Sequence, residues 1–287
     1  MIRFFLYLQL MNFKSKLPTV RTTIFTIMSS LAKEHNALNL SQGFPDFKSD
    51  PVLIELVSQA MKNGHNQYAP MMGVIELRTA IAQKFKELYQ SSYSPEKEIV
   101  ITVGATQAIF TVISAFIHTN DEVIIFTPAY DCYQPSVELK GGKVIPIQLQ
   151  YPKNTIDWSL VEKSITSKTK MIIINSPQNP SGSIFSLSDM KRLEKITNNT
   201  DIIILSDEVY EHMIFDGKKH QSICLFPELK KRSFITASFG KTFHNTGWRV
   251  GYCCGPENLM REFIKVHQFN VYSVNHPVQI ALAKYLE

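Results

Sequence analysis

The chain has 287 residues, of which 44% are hydrophobic and 19% are charged, and its formal net charge is +5. This length supports one or two domains with a large core, and the composition excludes a disordered or fibrous protein. The 30 basic residues are nearly balanced by 25 acidic ones. The short basic runs at 218–220 and 230–232 contain no aromatic stacking platform, so nucleic-acid binding is not expected.

The N-terminal residues do not predict a signal peptide or a membrane segment. The apolar run at residues 4–13 is too short to span a bilayer, and Lys14-Ser15-Lys16-Leu17-Pro18 follows it instead of a small-residue cleavage site. We therefore expect neither export nor a membrane anchor, and we expect Met11 to be the true start.

The four cysteines form no C-x-x-C pair, which predicts a reduced, cytoplasmic protein with buried thiols. The eight histidines have no metal-binding spacing, so no metal is expected.

Apolar periodicity predicts two helices followed by a series of strands. Helical spacing covers residues 52–61 and 74–88. From residue 99 onward, helical segments alternate with seven short β-branched runs: Ile99–Val103, Val123–Phe126, Val144–Ile147, Met171–Ile174, Ile202–Leu205, Phe234–Ala237 and Val250–Cys253. Near-continuous apolar strands are covered on both faces, so we predict an α/β fold with a mostly parallel sheet sandwiched by helices. Residues 275–287 read as a helix without a stop signal, and we expect the chain to end inside that element.

Polar groups follow five of the predicted strands. Sheets of this kind bind ligands beyond the carboxyl ends of their strands. The groups at those ends are Gly104-Ala105-Thr106-Gln107, Thr127-Pro128-Ala129-Tyr130, Asn175 through Gly182, Ser206 through Tyr210, and Ser238-Phe239-Gly240-Lys241. Their number indicates one shared site at this edge of the sheet.

The segment from Ser238 to Arg249 combines an amine with an anion anchor. A lysine that is desolvated beside aromatic residues loses its proton more easily and becomes a nucleophile. A serine and an arginine nearby can hold a dianion such as a phosphate. Lys241 between Ser238 and Arg249 therefore provides what a pyridoxal phosphate enzyme requires.

Two other lysine motifs fail at specific positions. Gly240-Lys241-Thr242 resembles the end of a phosphate-binding P-loop, but the first glycine of that motif would fall at Ile235. Ser238-x-x-Lys241 also fits the S-x-x-K of acyl-serine enzymes, but Phe243 stands where the required K-T-G would continue.

The other strand-end residues each have a structural alternative to a functional role. Asp207 is either a helix cap or ion-pair partner, or the carboxylate beside a protonated pyridine nitrogen. Tyr210 donates to a phenolate-type oxygen or is a rim tyrosine. The helix start at residues 104–106 binds an anion or is an ordinary cap. Asn179-Pro180-x-Gly182 is a functional loop or only a turn. Tyr130 stacks on an aromatic ring or fills the core.

Together these motifs resemble the fold type I pyridoxal-phosphate aminotransferases of class I/II, from about residue 17 to the end. Within that family, Ser41-Gln42-Gly43-Phe44-Pro45-Asp46 and Asn66-Gln67-Tyr68 resemble the methionine and kynurenine aminotransferase branch. The resemblance implies that residues 1–40 are an N-terminal arm and small-domain segment and that 41–287 are the large cofactor-binding domain. It also implies a small C-terminal domain beyond Glu287, which supplies a carboxylate-binding arginine. Arg21 stands where relatives tend to have glycine.

The resemblance also implies a role for each residue. Lys241 would bind pyridoxal 5'-phosphate covalently and then act as base and acid in the proton shift. The other expected contacts are Asp207 with the pyridine nitrogen, Tyr210 and Asn179 with the ring hydroxyl oxygen, Tyr130 stacked on the ring, Gly104, Ala105, Thr106, Ser238 and Arg249 with the phosphate, Tyr68 with the phosphate of a neighbouring subunit, and Gly43 and Asn179 with the substrate carboxylate.

The implied activity is a ping-pong transfer of an amino group from a bulky apolar amino acid, methionine or an aromatic one, to a 2-oxo acid. The implied assembly is a homodimer with shared active sites. A C–S β-lyase uses the same lysine and cofactor and is the nearest alternative. The fold also serves as the effector-sensing domain of some transcription regulators, but no helix-turn-helix segment precedes residue 17.

Overall fold

A computed structural model describes residues 14–43 and 47–287. The apolar run at 4–13, the expected start at Met11 and the Phe44-Pro45-Asp46 part of the N-terminal motif lie outside the described residues. These ranges belong to two compact units. The first contains helix α1 (Ile24–Glu34), which begins after Thr23, whose hydroxyl accepts from the Thr26 amide. The predicted functional division at residue 40 stays a prediction.

The helices predicted from periodicity are confirmed. They are α2 (Pro51–Lys62), α3 (Ile75–Tyr89) and, at the chain end, α11 (His276–Leu286). Side chains of Asp50 and Asn275 cap α2 and α11, and a proline follows each cap, as helix starts favour. The remaining helices are α4 (Gly104–Phe116), α5 (Tyr133–Leu139), α6 (Trp158–Ser164), α7 (Leu187–Thr197), α8 (Pro227–Lys230), α9 (Phe239–Thr242) and α10 (Glu257–Asn270). No helix within the two described ranges is long and apolar enough to cross a membrane.

All seven predicted strands are present, with ends that differ by one or two residues. They are β1 (Ile99–Thr102), β2 (Glu122–Thr127), β3 (Lys143–Gln148), β4 (Thr169–Asn175), β5 (Ile203–Asp207), β6 (Ser233–Ser238) and β7 (Gly251–Cys254). Val103 and Val250 were predicted to lie in strands but fall just outside them. Each instead adjoins a residue of the site described below: Val103 directly precedes Gly104, and Val250 directly follows Arg249.

The strands form one sheet in the order β1-β7-β6-β5-β4-β2-β3. Strands β1 to β6 run in one direction, and β7 alone is antiparallel, to both β6 and β1. The predicted mostly parallel sheet is confirmed. Because β7 is reversed, its first residue, Gly251, pairs with the last residues of two neighbouring strands, Thr102 and Ser238. Arg249 precedes strand β7, but because β7 is reversed it lies beside the carboxyl ends of the neighbouring strands, where the other predicted site residues follow their strands.

Buried apolar residues cover both faces of the sheet. Ile172 and Ile174 of β4 point into one core, and Met171 and Ile173 point into the other. Strand β3 differs from the prediction, because three of its six residues are exposed and it forms the edge of the sheet. Its Pro146 suits an edge strand, where no partner needs its missing N–H. Cys224, Cys253 and Cys254 are buried free thiols, as predicted, whereas Cys132 is only partly buried.

Candidate active site

Lys241 lies one turn after the end of β6, on the short helix α9. Ser238 caps this helix, since its Oγ accepts a 3.2 Å hydrogen bond from the Gly240 amide. The Lys241 ammonium group lies 5.7 Å from the centre of the Tyr210 ring. Burial, and secondarily the positive charge of Arg249, lower the pKa of Lys241. Both effects make the amine easier to deprotonate than a lysine in water.

The guanidinium of Arg249 lies against the first residue of α4. A Cβ placed on Gly104 would be 2.8 Å from Nη2 of Arg249, so only a glycine allows this approach. Gly104 also has a φ of +72°, which disfavours any side chain. The first amide N–H groups of a helix lack intrahelical partners and carry a partial positive charge. A guanidinium beside them makes this place suited to an anion, and we name Gly104, Ala105, Thr106, Ser238 and Arg249 the anion-binding cup after this predicted role.

Gly251 brings the two sides of this cup together. A Cβ on Gly251 would be 2.5 Å from the Ala237 carbonyl oxygen and 2.9 Å from Cα of Gly104. The backbone before Ser238 and the first turn of α4 thus both contact the start of β7. This contact explains how a serine and a helix N-terminus that lie far apart in sequence share one location.

Tyr130 is joined to the cup through Thr106. Its hydroxyl lies 3.3 Å from Oγ1 of Thr106, and its ring packs edge-on against Tyr133, with 5.8 Å between centroids. Burial raises the pKa of Tyr130, so its hydroxyl stays protonated. The half-buried ring of Tyr130 therefore lies between the cup and Tyr133.

Asp207 ends β5 as a buried carboxylate. Its Oδ2 accepts a 2.6 Å hydrogen bond from the Tyr133 hydroxyl, and its Oδ1 accepts a 3.3 Å bond from the Val209 amide. Burial nevertheless raises the pKa of Asp207 to about 6, because the two hydrogen bonds offset desolvation only in part. A buried carboxylate of this kind gains stability when a cation pairs with it.

The loop after β4 is tied to the end of β5 through Asn175. The Asn175 side chain donates to the Asp207 carbonyl at 3.0 Å and accepts from the Asn179 amide at 2.7 Å. Gln178, in the same loop, donates to the carbonyl of Pro128 after β2. These bonds link the ends of β2, β4 and β5, and they hold Asn179 next to the Asp207 backbone.

Two buried glutamates hold the Asp207–Tyr210 segment from the protein interior. Glu208 accepts from the Ile223 amide at 3.0 Å and lies 2.9 Å from Nε2 of His220. Glu211 forms a 2.5 Å ion pair with Lys84. Asp207 and Tyr210 are therefore each followed directly by a buried glutamate that is fixed in the protein interior.

Two predicted site residues are not among these contacts. Tyr68 is 79% exposed and packs edge-on against Tyr272, with 5.5 Å between ring centroids. Gly43 is exposed and belongs to the first compact unit. Their roles stay predictions.

The family model for aminotransferase class I and II matches residues 35–287. The chain belongs to the class I and II aminotransferases. The Escherichia coli methionine aminotransferase is 45% identical over 273 residues, which are 95% of this chain and 71% of the relative. Human kynurenine–oxoglutarate transaminase 1 is 34% identical over 90% of this chain and 64% of its own length.

Solved aminotransferase structures have the same fold. The E. coli protein whose structure and reactivity identify a methionine aminotransferase function superposes with a TM-score of 0.93, at 44% identity, covering 96% of this chain and 72% of that one. The N-succinyldiaminopimelate aminotransferase from Mycobacterium tuberculosis superposes with a TM-score of 0.92 at 34% identity, with the same coverage of both chains. The predicted resemblance and the fold type I assignment are both confirmed.

Members of this aminotransferase family use pyridoxal phosphate, and the residues of this chain fit that cofactor. The Asp207 carboxylate is buried, and within residues 14–43 and 47–287 it forms no ion pair, which suits a protonated pyridine nitrogen. The cup offers helix amides and a guanidinium for a phosphate. The half-buried amine of Lys241 has a lowered pKa, which suits a carbonyl electrophile.

The sequence did not predict a role for two residues that support the site, Tyr133 and Gln107. Tyr133 is the direct partner of Asp207, and its only sequence signal was its position three residues after Tyr130. Gln107 was noted at a strand end but was given no role. In the structure it binds the backbone at the start of the cup.

Proposed function

We propose that this aminotransferase takes the amino group of methionine or an aromatic amino acid and passes it to a 2-oxo acid in two successive half-reactions. The observation that carries the proposal is the placement of Lys241 near Arg249, whose guanidinium lies against the first residue of α4, with buried Asp207 on the adjacent strand end. The 45% identity to the E. coli methionine aminotransferase supports the donor class.

Pyridoxal 5'-phosphate would lie between three anchors of the chain. Asp207 would pair with the pyridine nitrogen, Tyr210 and Asn179 with the ring oxygen, and the cup with the phosphate. Tyr130, whose half-buried ring neighbours the cup, would cover one face of the ring. When bound, the cofactor supplies an electrophilic carbonyl and an electron sink for the substrate Cα.

Lys241 performs the proton transfers of the proposed reaction. Its lowered pKa makes it easier for Nζ to lose its proton, and the free amine would first act as a nucleophile and later take the proton from the substrate Cα. Tyr210, whose ring adjoins Nζ, limits water at this position. Burial and the hydrogen bond from Tyr133 keep the Asp207 carboxylate in place, so that it would pair with the protonated nitrogen of the pyridine ring.

The substrate carboxylate would bind the side chain of Asn179. The half-buried position of Asn179 next to Asp207 supports its part of this proposal. The donor class is proposed from the relatives: the methionine aminotransferase is 45% identical, and an aspartate aminotransferase of Pyrococcus abyssi, at 38%, makes aspartate the donor to compare.

We propose a homodimer in which Tyr68 of each subunit reaches the phosphate of the other. The 79% exposure of this tyrosine supports the proposal, since its hydroxyl is free to meet a partner. The cytoplasmic location stays a prediction from the cysteine pattern.

The test supplies the cofactor-loaded protein with methionine and a 2-oxo acid, with aspartate and the same acceptor, and with cystathionine alone. The expected products are the 2-oxo acid of methionine and the new amino acid, with much slower use of aspartate. Methionine without an acceptor should give a stoichiometric amount of its 2-oxo acid. Release of a thiol, pyruvate and ammonia from cystathionine, without amino transfer from methionine, would instead identify a C–S β-lyase.

A further inference from the structure

The side chain of Gln107 binds the backbone at the start of the anion-binding cup. Its Oε1 accepts a 3.0 Å hydrogen bond from the amide of Val103, the residue directly before Gly104. Its Nε2 donates to Oγ1 of Thr111 at 2.6 Å and lies 3.3 Å from Nδ1 of His267. One amide group therefore joins the entry to α4 with a histidine on α10.

His267 is completely buried, and its second ring nitrogen has a backbone partner. Nε2 lies 3.2 Å from the carbonyl oxygen of Met71, and the ring stacks on Phe263. Because a carbonyl oxygen only accepts, Nε2 carries the ring hydrogen and Nδ1 accepts from Gln107. Burial lowers the pKa of His267 to about 4, which agrees with this neutral tautomer.

This tautomer decides which way the Gln107 amide points. With Nδ1 as an acceptor, Nε2 of Gln107 turns toward His267 and Oε1 turns toward the Val103 amide. The reversed amide would place two donors, Nε2 and the Val103 N–H, against each other. Asn270 donates to the same Thr111 oxygen at 3.2 Å, so Thr111 also acts as an acceptor for Gln107.

The carbonyl that contacts His267 is that of Met71, and it belongs to the segment from Gln67 to Met71, which contains Tyr68. Ser273 donates to the Ala69 carbonyl at 3.0 Å, and His276 lies 3.0 Å from the Gln67 carbonyl. Side chains from α10, from the connection after it and from the start of α11 thus each bind this segment. His267 is the one among them that also contacts a residue of α4.

We propose that His267 is a positioning residue for phosphate binding: through Gln107 it fixes the Val103 amide and thereby the orientation of the first turn of α4. The same ring, through Met71, holds the segment that presents Tyr68. This inference rests on the proposed pyridoxal phosphate site. It assigns a function to a buried histidine that does not touch the cofactor.

The test compares two ligands that differ only in the phosphate, pyridoxal 5'-phosphate and pyridoxal, on the full chain. The variants are His267→Phe, which keeps a ring against Phe263, and Gln107→Met, which keeps the length of the side chain. Met260→Ala is the control, because Met260 is also completely buried on α10 but has no polar group. It should weaken stability and leave the ratio of the two dissociation constants unchanged.

Both network variants should raise the dissociation constant of pyridoxal 5'-phosphate about tenfold and leave that of pyridoxal unchanged. Equal weakening of both ligands, or no weakening of either, overturns the inference, because the network would then have only a structural role. If His267→Phe does not fold, Gln107→Met alone decides. A wild type that prefers neither ligand and forms no lysine adduct would instead refute the proposed cofactor site.

Nitrogen-15 NMR of the histidine rings gives a second, independent measurement on the wild-type protein. At neutral pH, His267 should appear as the neutral ring with hydrogen on Nε2. A ring with hydrogen on Nδ1, or a doubly protonated ring, would overturn the inference, since Gln107 would then have no acceptor there.

Discussion

The hydroxyl of Tyr133 donates a 2.6 Å hydrogen bond to Oδ2 of Asp207, and both side chains are buried. Tyr133 belongs to α5 and Asp207 ends β5, so this bond couples a helix to the strand end that would hold the pyridine nitrogen. It also lowers the pKa of Asp207, against the larger opposite effect of burial. The carboxylate is thus stabilised without being fully neutralised.

Tyr133→Phe should weaken cofactor binding about 10-fold or more, because a hydrogen bond to a charged group contributes about 1.5–3 kcal/mol. The loss raises the pKa of Asp207 further and disfavours its pairing with a protonated ring. The measurement is the dissociation constant of pyridoxal 5'-phosphate by fluorescence. Tyr93→Phe is the control, since Tyr93 is equally buried but packs near Phe85 instead of Asp207. Equal affinities of the two variants would contradict the prediction.

The buried carboxyl of Asp207 should make the stability of the cofactor-free protein depend on pH. Burial raises its pKa from 3.8 to about 6, so the folded protein holds a proton that the unfolded chain releases near pH 4. The stabilisation is complete below about pH 4 and is lost as pH rises through about 6, a change of about 3 kcal/mol.

Asp207→Asn should therefore be more stable than the wild type to urea at about pH 7, by up to about 3 kcal/mol, and equally stable near pH 4. Both measurements use protein stripped of cofactor. A stability difference that stays the same at the two pH values would contradict this prediction.

Gly104→Ala should disrupt the anion-binding cup. Its Cβ would be 2.8 Å from the Arg249 guanidinium, and the residue would keep a φ of +72°. Gly217→Ala is a matched control, because Gly217 has a φ of +67° but no atom within 4 Å of an added Cβ. Both variants should lose about 1 kcal/mol to backbone strain. Only Gly104→Ala should also release phosphate-bearing cofactor, measured by dialysis and absorbance; equal retention would contradict the assignment of the cup.

The Lys84–Glu211 pair should stabilise the segment that carries Tyr210. Burial opposes ionisation of Glu211, but Lys84, His212 and the hydrogen bond from Tyr89 together outweigh it, so that the pKa of Glu211 is lowered. Lys84→Met removes the lysine from a buried carboxylate, which keeps its hydrogen bonds from Tyr89 and Tyr252, and should cost about 3 kcal/mol in urea unfolding at neutral pH. Adding Glu211→Gln should recover much of that loss.

Lys231→Met is the control, because it breaks an exposed ion pair with Glu228 and should cost about 1 kcal/mol or less. An equal loss of stability in the two lysine variants would contradict the prediction.

Much of the fold followed from the apolar pattern. The β-branched runs were predicted as strands because each is a buried stretch between turn residues. The groups at their ends were expected to converge because parallel strands end at one edge. The structure brings Lys241, Tyr210 and Arg249 to that edge, and it places Asp207 at the end of the neighbouring strand.

The direction of β7 and the supporting hydrogen bonds could not be predicted in the same way. Periodicity indicates which face of an element is buried, but not which partner it meets. Tyr133 and Asp207 are 74 residues apart, and Gln107 and His267 are 160 apart. His267 did leave a signal, because it repeats the helical spacing of Met260 and Phe263 and so had to be buried. Its partners became visible only once α10 was packed on α4.

The central claim is that Lys241 is the residue that binds the cofactor. The protein is loaded with pyridoxal 5'-phosphate, reduced with borohydride to make the attachment permanent, digested, and examined by mass spectrometry. The adduct is predicted on the peptide that contains Lys241, and Lys241→Ala should lose both the adduct and the absorbance of the bound cofactor while keeping the wild-type circular dichroism. An adduct on another lysine, or no adduct on a folded wild-type protein, would contradict the account.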